Sequence, residues 1–193
     1  MTRRSLLPLA AATILTLVAA TLVTTTAMSG QQAGQATQPP LRRPDIHWVP
    51  TPPPVVDAML KLADVKPSDV VYDLGCGDGI IVATAAQKYG ARAVGIDIDP
   101  QRVKEATERV QKMGVSDKVK ILQGDLFESD IKDATVVTLY LLQSLNIKLM
   151  PKLKSELKPG TRVVSQSFDM GTSWPPEKTV EVDGRPVYLW TIK

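Results

Sequence analysis

A strand-forming run, Val70-Val71-Tyr72, passes directly into Asp73-Leu-Gly-Cys-Gly-Asp-Gly79 and then into the apolar stretch Ile80-Ile81-Val82-Ala83-Thr84-Ala85-Ala86. Glycine allows tight turns and close approach of the backbone to a ligand. A strand, a glycine turn and a helix in immediate succession make one unit of an open α/β sheet. In such sheets ligands bind at the carboxyl ends of the strands.

The remaining patterns continue that alternation. Val55, Val56, Met59, Leu60 and Ala63 recur at helical spacing over 55–63, and Lys66-Pro67-Ser68 ends that helix before a strand over 69–74. A helix over 79–88, a strand over 93–98 and a helix from Pro100 to about residue 113 follow; proline suits a first helical turn and Gly114 a C-cap. Strands over 119–123, 134–140 and 161–167 come next, with a helix over 145–157 before the last of them. Pro151 should interrupt or kink that helix, because it lacks an amide donor. The alternation predicts a Rossmann-like, mostly parallel α/β sheet covered by helices. The end of the chain departs from it. Two β-rich arms, 179–182 and 187–192, flank Asp183-Gly184, which signals an antiparallel β-hairpin. Arg185-Pro186 lengthens the loop beyond two residues and leaves the turn type open. Residues 168–176 are too few for a crossover helix, so that side of the sheet should be thinly covered.

The first 29 residues obey a different logic. Arg3 and Arg4 precede an apolar run over 6–23 and then small, polar residues, the layout of a secretory signal peptide. The run also approaches the length of a spanning helix, so an uncleaved membrane anchor is the alternative. The arginine pair is that of a twin-arginine signal. Residues 30–46 are polar and proline-rich, a flexible spacer, which leaves 47–193 as one domain. This layout predicts an exported protein, periplasmic or extracellular, or one anchored to the bacterial inner membrane. The formal charge of +3 includes both leader arginines; without them acids and bases nearly balance. Arg42-Arg43 is too short a basic patch to imply a nucleic-acid partner. Cys76, the sole cysteine, cannot form an internal disulfide. His47, the sole histidine, supports neither a multi-histidine metal site nor a Ser-His-Asp triad.

Three acids recur at successive strand ends. Asp73 adjoins the glycine turn, where it either touches a ligand or braces the loop. Asp97 lies eighteen residues after Gly79, the spacing at which a nucleotide-binding fold places an acceptor for ribose hydroxyls. Asp125 closes the third strand, where it either accepts from an adenine amino group or caps a turn. Asp99 suits a helix cap. The spacing Gly75-Cys-Gly77-Asp-Gly79 departs from the dinucleotide fingerprint. Asp73 and Asp78 would repel a pyrophosphate but favour the ammonium of an amino-acid moiety. No G-K-[ST] follows, which removes a nucleoside triphosphate loop. A ligand with adenine, ribose and a zwitterionic tail fits this chemistry.

These segments resemble those of the class I S-adenosylmethionine-dependent methyltransferases. Asp73-Leu-Gly-Cys-Gly-Asp-Gly79 is similar to their first motif, Gly95-Ile-Asp97 to their second-strand acid, and Gln123-Gly-Asp125-Leu-Phe127 to their adenine-side segment. More narrowly, Trp48-Val-Pro-Thr-Pro-Pro-Pro54, Thr138-Leu-Tyr-Leu-Leu142 and Ser144-Leu-Asn146 resemble small bacterial relatives of the mitochondrial lysine methyltransferases that modify the ATP synthase c subunit. The resemblance implies S-adenosyl-L-methionine as cofactor, lying over the strand ends, with Asp73, Gly75, Gly77, Asp97 and Asp125 around it; Thr51, in the proline-rich lead-in, either touches the carboxylate tail of the donor or is a turn residue. It implies a protein or peptide acceptor, including a membrane protein, and a lysine amine as the group methylated.

Methyl transfer needs an aligned nucleophile with a free lone pair, and positioning alone lowers much of the barrier. Tyr140, Gln143, Ser144 and Asn146 follow the fourth strand, where the methyl donor should emerge. Tyr140 and Asn146 are the catalytic candidates; the bland alternatives are a core tyrosine and a helix cap. Trp48, Trp174 and Trp190 either frame a groove or fill the core. A small-molecule acceptor remains the enzymatic alternative, and an exported adenosine-ligand binding module without turnover is the non-enzymatic one. The open architecture, with no inserted lid domain, favours a peptide or membrane-protein segment.

Overall fold

The first strand of the domain carries apolar residues on both faces, which suits burial between two layers, and it becomes the middle of the parallel run. The computed structural model describes residues 42–193; the inferred targeting segment, 1–29, and the spacer before Arg42 lie outside the described residues. The elements are α1 (Pro53–Leu62), β1 (Val70–Leu74), α2 (Ile80–Tyr89), β2 (Arg92–Asp97), α3 (Pro100–Lys112), β3 (Val119–Gln123), β4 (Val136–Leu139), α4 (Gln143–Glu156), β5 (Arg162–Gln166), β6 (Lys178–Val182) and β7 (Arg185–Thr191). The sheet order is β3-β2-β1-β4-β5-β7-β6. The first five strands are parallel, and β7 runs antiparallel to both β5 and β6. Strand order reverses at β1, with β2 on one side and β4 on the other. That switch point opens a crevice at the strand ends.

The two faces are covered unequally. On one, α1, α2 and α3 supply Val56, Met59, Val82, Ala85 and Val110 to a core with Val71, Val136 and Val164. On the other, α4 supplies Leu149 and Leu153, joined by Leu157 just past its end and by Ile131, Met170 and Trp190. Each such fully buried large side chain contributes roughly 1.5–3 kcal/mol. No helix follows β5, as the short connector predicts, yet the face is not bare. Met170 is fully buried, and Trp174 packs on Trp190 with ring centroids 5.8 Å apart. Trp190 Nε1 donates to the Trp174 carbonyl at 2.8 Å. The connector takes the place of a helix layer.

Two local expectations are corrected. The interruption expected at Pro151 does not occur, since helix α4 runs through that residue. The residue four positions earlier, Ile147, and Pro151 itself are both exposed, so water can satisfy the carbonyl that proline leaves without a donor. The hairpin loop is only Asp183-Gly184, with φ of 52° and 70°. Positive φ at both positions is the type I′ turn that matches strand twist. Arg185 and Pro186 belong to β7, opposite Val182 and Glu181. The α3 cap is as expected: Pro100 opens the helix and Asp99 Oδ1 accepts from Gln101 N at 2.8 Å. Residues 42–46, at the end of the inferred spacer, lie against the domain, with Ile46 packed on the α4-side core.

Candidate active site

The glycine loop leaves β1 and bends toward β2, where the amides of Gly75 and Cys76 both donate to the Ile96 carbonyl, at 2.8 and 3.0 Å. At Gly77 φ is +54°, and a Cβ there would lie 2.0 Å from Trp48 Nε1. Only a residue without a side chain admits the indole. The loop, the ends of β1, β2 and β4, and the lead-in to α1 enclose a cavity of ≈ 840 Å³. Thr51, Asp73, Gly75, Asp97, Asp125 and Tyr140 all line it.

Asp73 projects from β1 and is 2% exposed. Thr138 Oγ1, on the adjacent strand β4, donates to its Oδ1 at 2.7 Å. No cation pairs with it among the described residues. Burial pushes its carboxyl up to about 7 against the pull of Thr138, and the charges of Asp97 and Asp78 push the same way. Asp97 ends β2. Its Oδ2 accepts from Gly77 N at 2.8 Å and its Oδ1 from Asp99 N at 2.9 Å, so it fixes the loop and keeps one acceptor site free on each oxygen. Burial raises its pKa against those two amide bonds. Asp78 is turned into structure: Arg109 of α3 pairs with its carboxylate and donates from Nε to its carbonyl at 2.8 Å. Cys76 is buried, its thiol pushed up by that burial and by neighbouring carboxylates, the opposite of an activated nucleophile.

Asp125 stands just beyond β3. Phe127 N donates to its Oδ1 at 2.9 Å, and Arg42 clamps it from Nε and from Nη2, the latter at 3.1 Å. Burial opposes its charge, but Arg42 and the Phe127 amide outweigh that and hold the carboxyl below its usual range. Arg42 also pairs with Asp45 and lies 5.4 Å from the Phe127 ring centroid. Farther along the lead-in, Trp48 rests on Gly77 and stacks under Arg102 at 4.5 Å. Residues 42–49 thus form a strap along one wall, fastened by two arginine contacts. Sequence reasoning missed Arg42, Arg102 and Arg109, since each is paired through tertiary contacts.

On the acceptor side, Tyr140 is half-buried and lines the cavity, and its hydroxyl has no hydrogen-bond partner among the described residues. Asn146 does not line the cavity. It is fully buried in α4, and its Nδ2 donates to Ser165 Oγ at 3.1 Å and to the Phe168 carbonyl at 2.9 Å. The structure sets Asn146 behind the cavity lining, where its amide nitrogen pins the connector after β5 and its Oδ1 has no partner among the described residues. Gln143 serves the same connector through Asp169. Phe168, overlooked in the sequence, lines the cavity.

The residues fit S-adenosylmethionine. A buried carboxylate without a cation suits its ammonium, Asp97 retains acceptor capacity for two ribose hydroxyls, and the volume lies in the range of ligand pockets. Comparison with known proteins agrees. The model of the ANTKMT methyltransferase domain matches residues 73–178. A protein-lysine N-methyltransferase from Saccharolobus islandicus is 46% identical over 154 residues, covering 77% of this chain and 95% of that one. An RNA methyltransferase from Salinibacter ruber, solved with S-adenosyl-L-homocysteine, is 60% identical with a TM-score of 0.73, covering 75% of this chain and 94% of that one. A ribosomal protein L11 methyltransferase from Pelotomaculum thermopropionicum is 32% identical, but the match spans only 34% of its length.

Proposed function

This chain belongs to the ANTKMT methyltransferase family and is an S-adenosylmethionine-dependent methyltransferase, and from that premise we propose that it methylates a lysine amine of a protein. The observation that carries the proposal is the match to a protein-lysine N-methyltransferase over 95% of its length, joined to a cavity that Tyr140 lines.

Bound S-adenosylmethionine supplies an electrophilic methyl on a sulfonium. Asp73 and Thr51 would hold the amino-acid end, the backbone of the Gly75–Gly77 loop would come close to the ligand, Asp97 would accept from the ribose hydroxyls, and Asp125 would accept from the adenine amino group. Asp125 can do so only by sharing its lone pairs with Arg42. Tyr140 orients the acceptor nitrogen. Half-burial at the cavity mouth lowers the lysine pKa and helps it shed its proton to solvent. The neutral nitrogen would then receive the methyl that the bound sulfonium supplies, the carbon–sulfur bond breaking to leave a methylated ammonium and a neutral thioether. Alignment rather than a strong base supplies the rate.

The acceptor is a protein segment able to enter an open mouth, a membrane protein among the candidates, and the apolar N-terminal run delivers the domain to the inner membrane or across it. The basic residues before that run and its length support this reading. Among the described residues no helix is long and apolar enough to span a membrane. Incubating the purified chain with a membrane extract and methyl-labelled donor tests the acceptor: label should map to lysine side chains. Label confined to RNA, the substrate named for the Salinibacter ruber relative, or to small molecules would contradict it. Intact mass and fractionation of the native protein test the N-terminal segment, for which a soluble cytoplasmic protein retaining residues 1–29 is the contrary result.

A further inference from the structure

The connector after β5 starts with an unusual backbone. Ser167, not a glycine, has φ of +64°, and Phe168 N donates back to the Gln166 carbonyl at 2.7 Å, closing a three-residue turn. A side chain rarely adopts this conformation, and it persists only where surrounding contacts over-determine it. Those contacts are present. The Phe168 carbonyl accepts from Ser165 Oγ at 2.6 Å and from Asn146 Nδ2 at 2.9 Å, and both donor residues are completely buried. Ser167 N is itself held by the Pro186 carbonyl at 2.8 Å. Three elements, α4, β5 and β7, therefore converge on the two-residue turn Ser167-Phe168.

The strain has a direction. Strands β4 and β5 pair in parallel with Leu139 opposite Ser165. Continuing that register brings Tyr140 level with Gln166, so Tyr140 and Phe168 emerge from neighbouring strand ends, and both line the cavity. We propose that Phe168 is a wall of the acceptor site, a specificity-determining residue whose ring, with Tyr140, receives the aliphatic stem and amine of the acceptor lysine. Ser165 and Asn146 are positioning residues that act through it. An aromatic face packs on the aliphatic stem and excludes water from it, and that desolvation favours the neutral amine. The turn fixes the backbone from which that ring projects, and Asp73 and Asp97 line the same cavity from β1 and β2. The inference rests on the lysine reading above.

The test uses the full chain, a pool of lysine-bearing peptides as acceptor and calorimetric titration of the donor. Phe168→Ala should raise the peptide concentration for half-maximal rate at least tenfold while leaving donor affinity within twofold, and Phe168→Leu should fall between it and the wild type. Asn146→Ala should move the same parameter in the same direction, again without weakening the donor. An unchanged half-saturation in Phe168→Ala, or donor affinity that falls in step with it, overturns the proposal. If the wild type binds the donor but leaves the lysine peptides unlabelled, the lysine reading fails and the acceptor class assigned to this wall fails with it. Labelled peptides with no effect of Phe168 sink the wall alone.

Discussion

A carboxylate buried at the end of β1, with a hydroxyl but no cation beside it, is the most consequential single group in the chain. Held up to about 7, Asp73 is protonated in much of the free protein near neutrality. The ammonium of the donor favours its ionised form, so binding should expel a proton. Donor affinity is expected to rise between pH 6 and 8, with a buffer-dependent binding enthalpy, and Asp73→Asn should flatten both. A buffer-independent enthalpy and flat affinity in the wild type would remove the ammonium contact. The same raised pKa makes the free protein's stability fall as pH climbs from the ordinary carboxylate range toward 7, because the unfolded chain ionises first. The strand-end acids are legible in the sequence because their signals are local: a glycine turn beside Asp73, and a fixed spacing to Asp97. The pairing of Arg42 with Asp125 spans 83 positions and leaves no periodic trace. Nor does anything in the sequence around Asn146 say that its amide faces inward to hold a connector.

At the scale of elements, the parallel strands and their helices can be read from periodicity, while the exceptions come from tertiary context. Pro151 stays within α4 because its missing bond falls on the exposed side, and hydrophobic spacing alone does not reveal that. Arg185 and Pro186 extend β7 because Asp183-Gly184 suffices for the turn. The connector from β5 to β6 is a stronger case, since its length excludes a helix but says nothing of what replaces it. Met170, Trp174 and Trp190 answer that by closing the α4-side core. Trp174→Ala should therefore destabilise the domain by about 1–3 kcal/mol, read from denaturant unfolding, and expose Trp190 to solvent. Unchanged stability would mean that the connector merely drapes over that face. Because the same connector begins with Ser167 and Phe168, loosening it should also disturb the mouth of the cavity.

Across the whole molecule, a sheet with three helices on one face and one on the other carries its cavity at the point where strand order reverses, with a strap from the N-terminal side along one wall. The fold class, the hairpin ending and the cofactor class are all visible in the sequence, since they follow from strand-turn-helix order and from glycines and acids at fixed spacing. The acceptor is not, because methyl transfer asks little of specific side chains and much of shape. Everything proposed about the acceptor depends on the donor occupying the strand-end notch. The most direct measurement is a calorimetric titration of S-adenosylmethionine into the purified wild type and into Asp97→Ala. The account predicts a single site in the wild type and a dissociation constant at least ~10-fold higher in the variant, the loss of a charge-assisted contact to ribose together with the brace on the Gly77 amide. Equal affinity in the two proteins would contradict it.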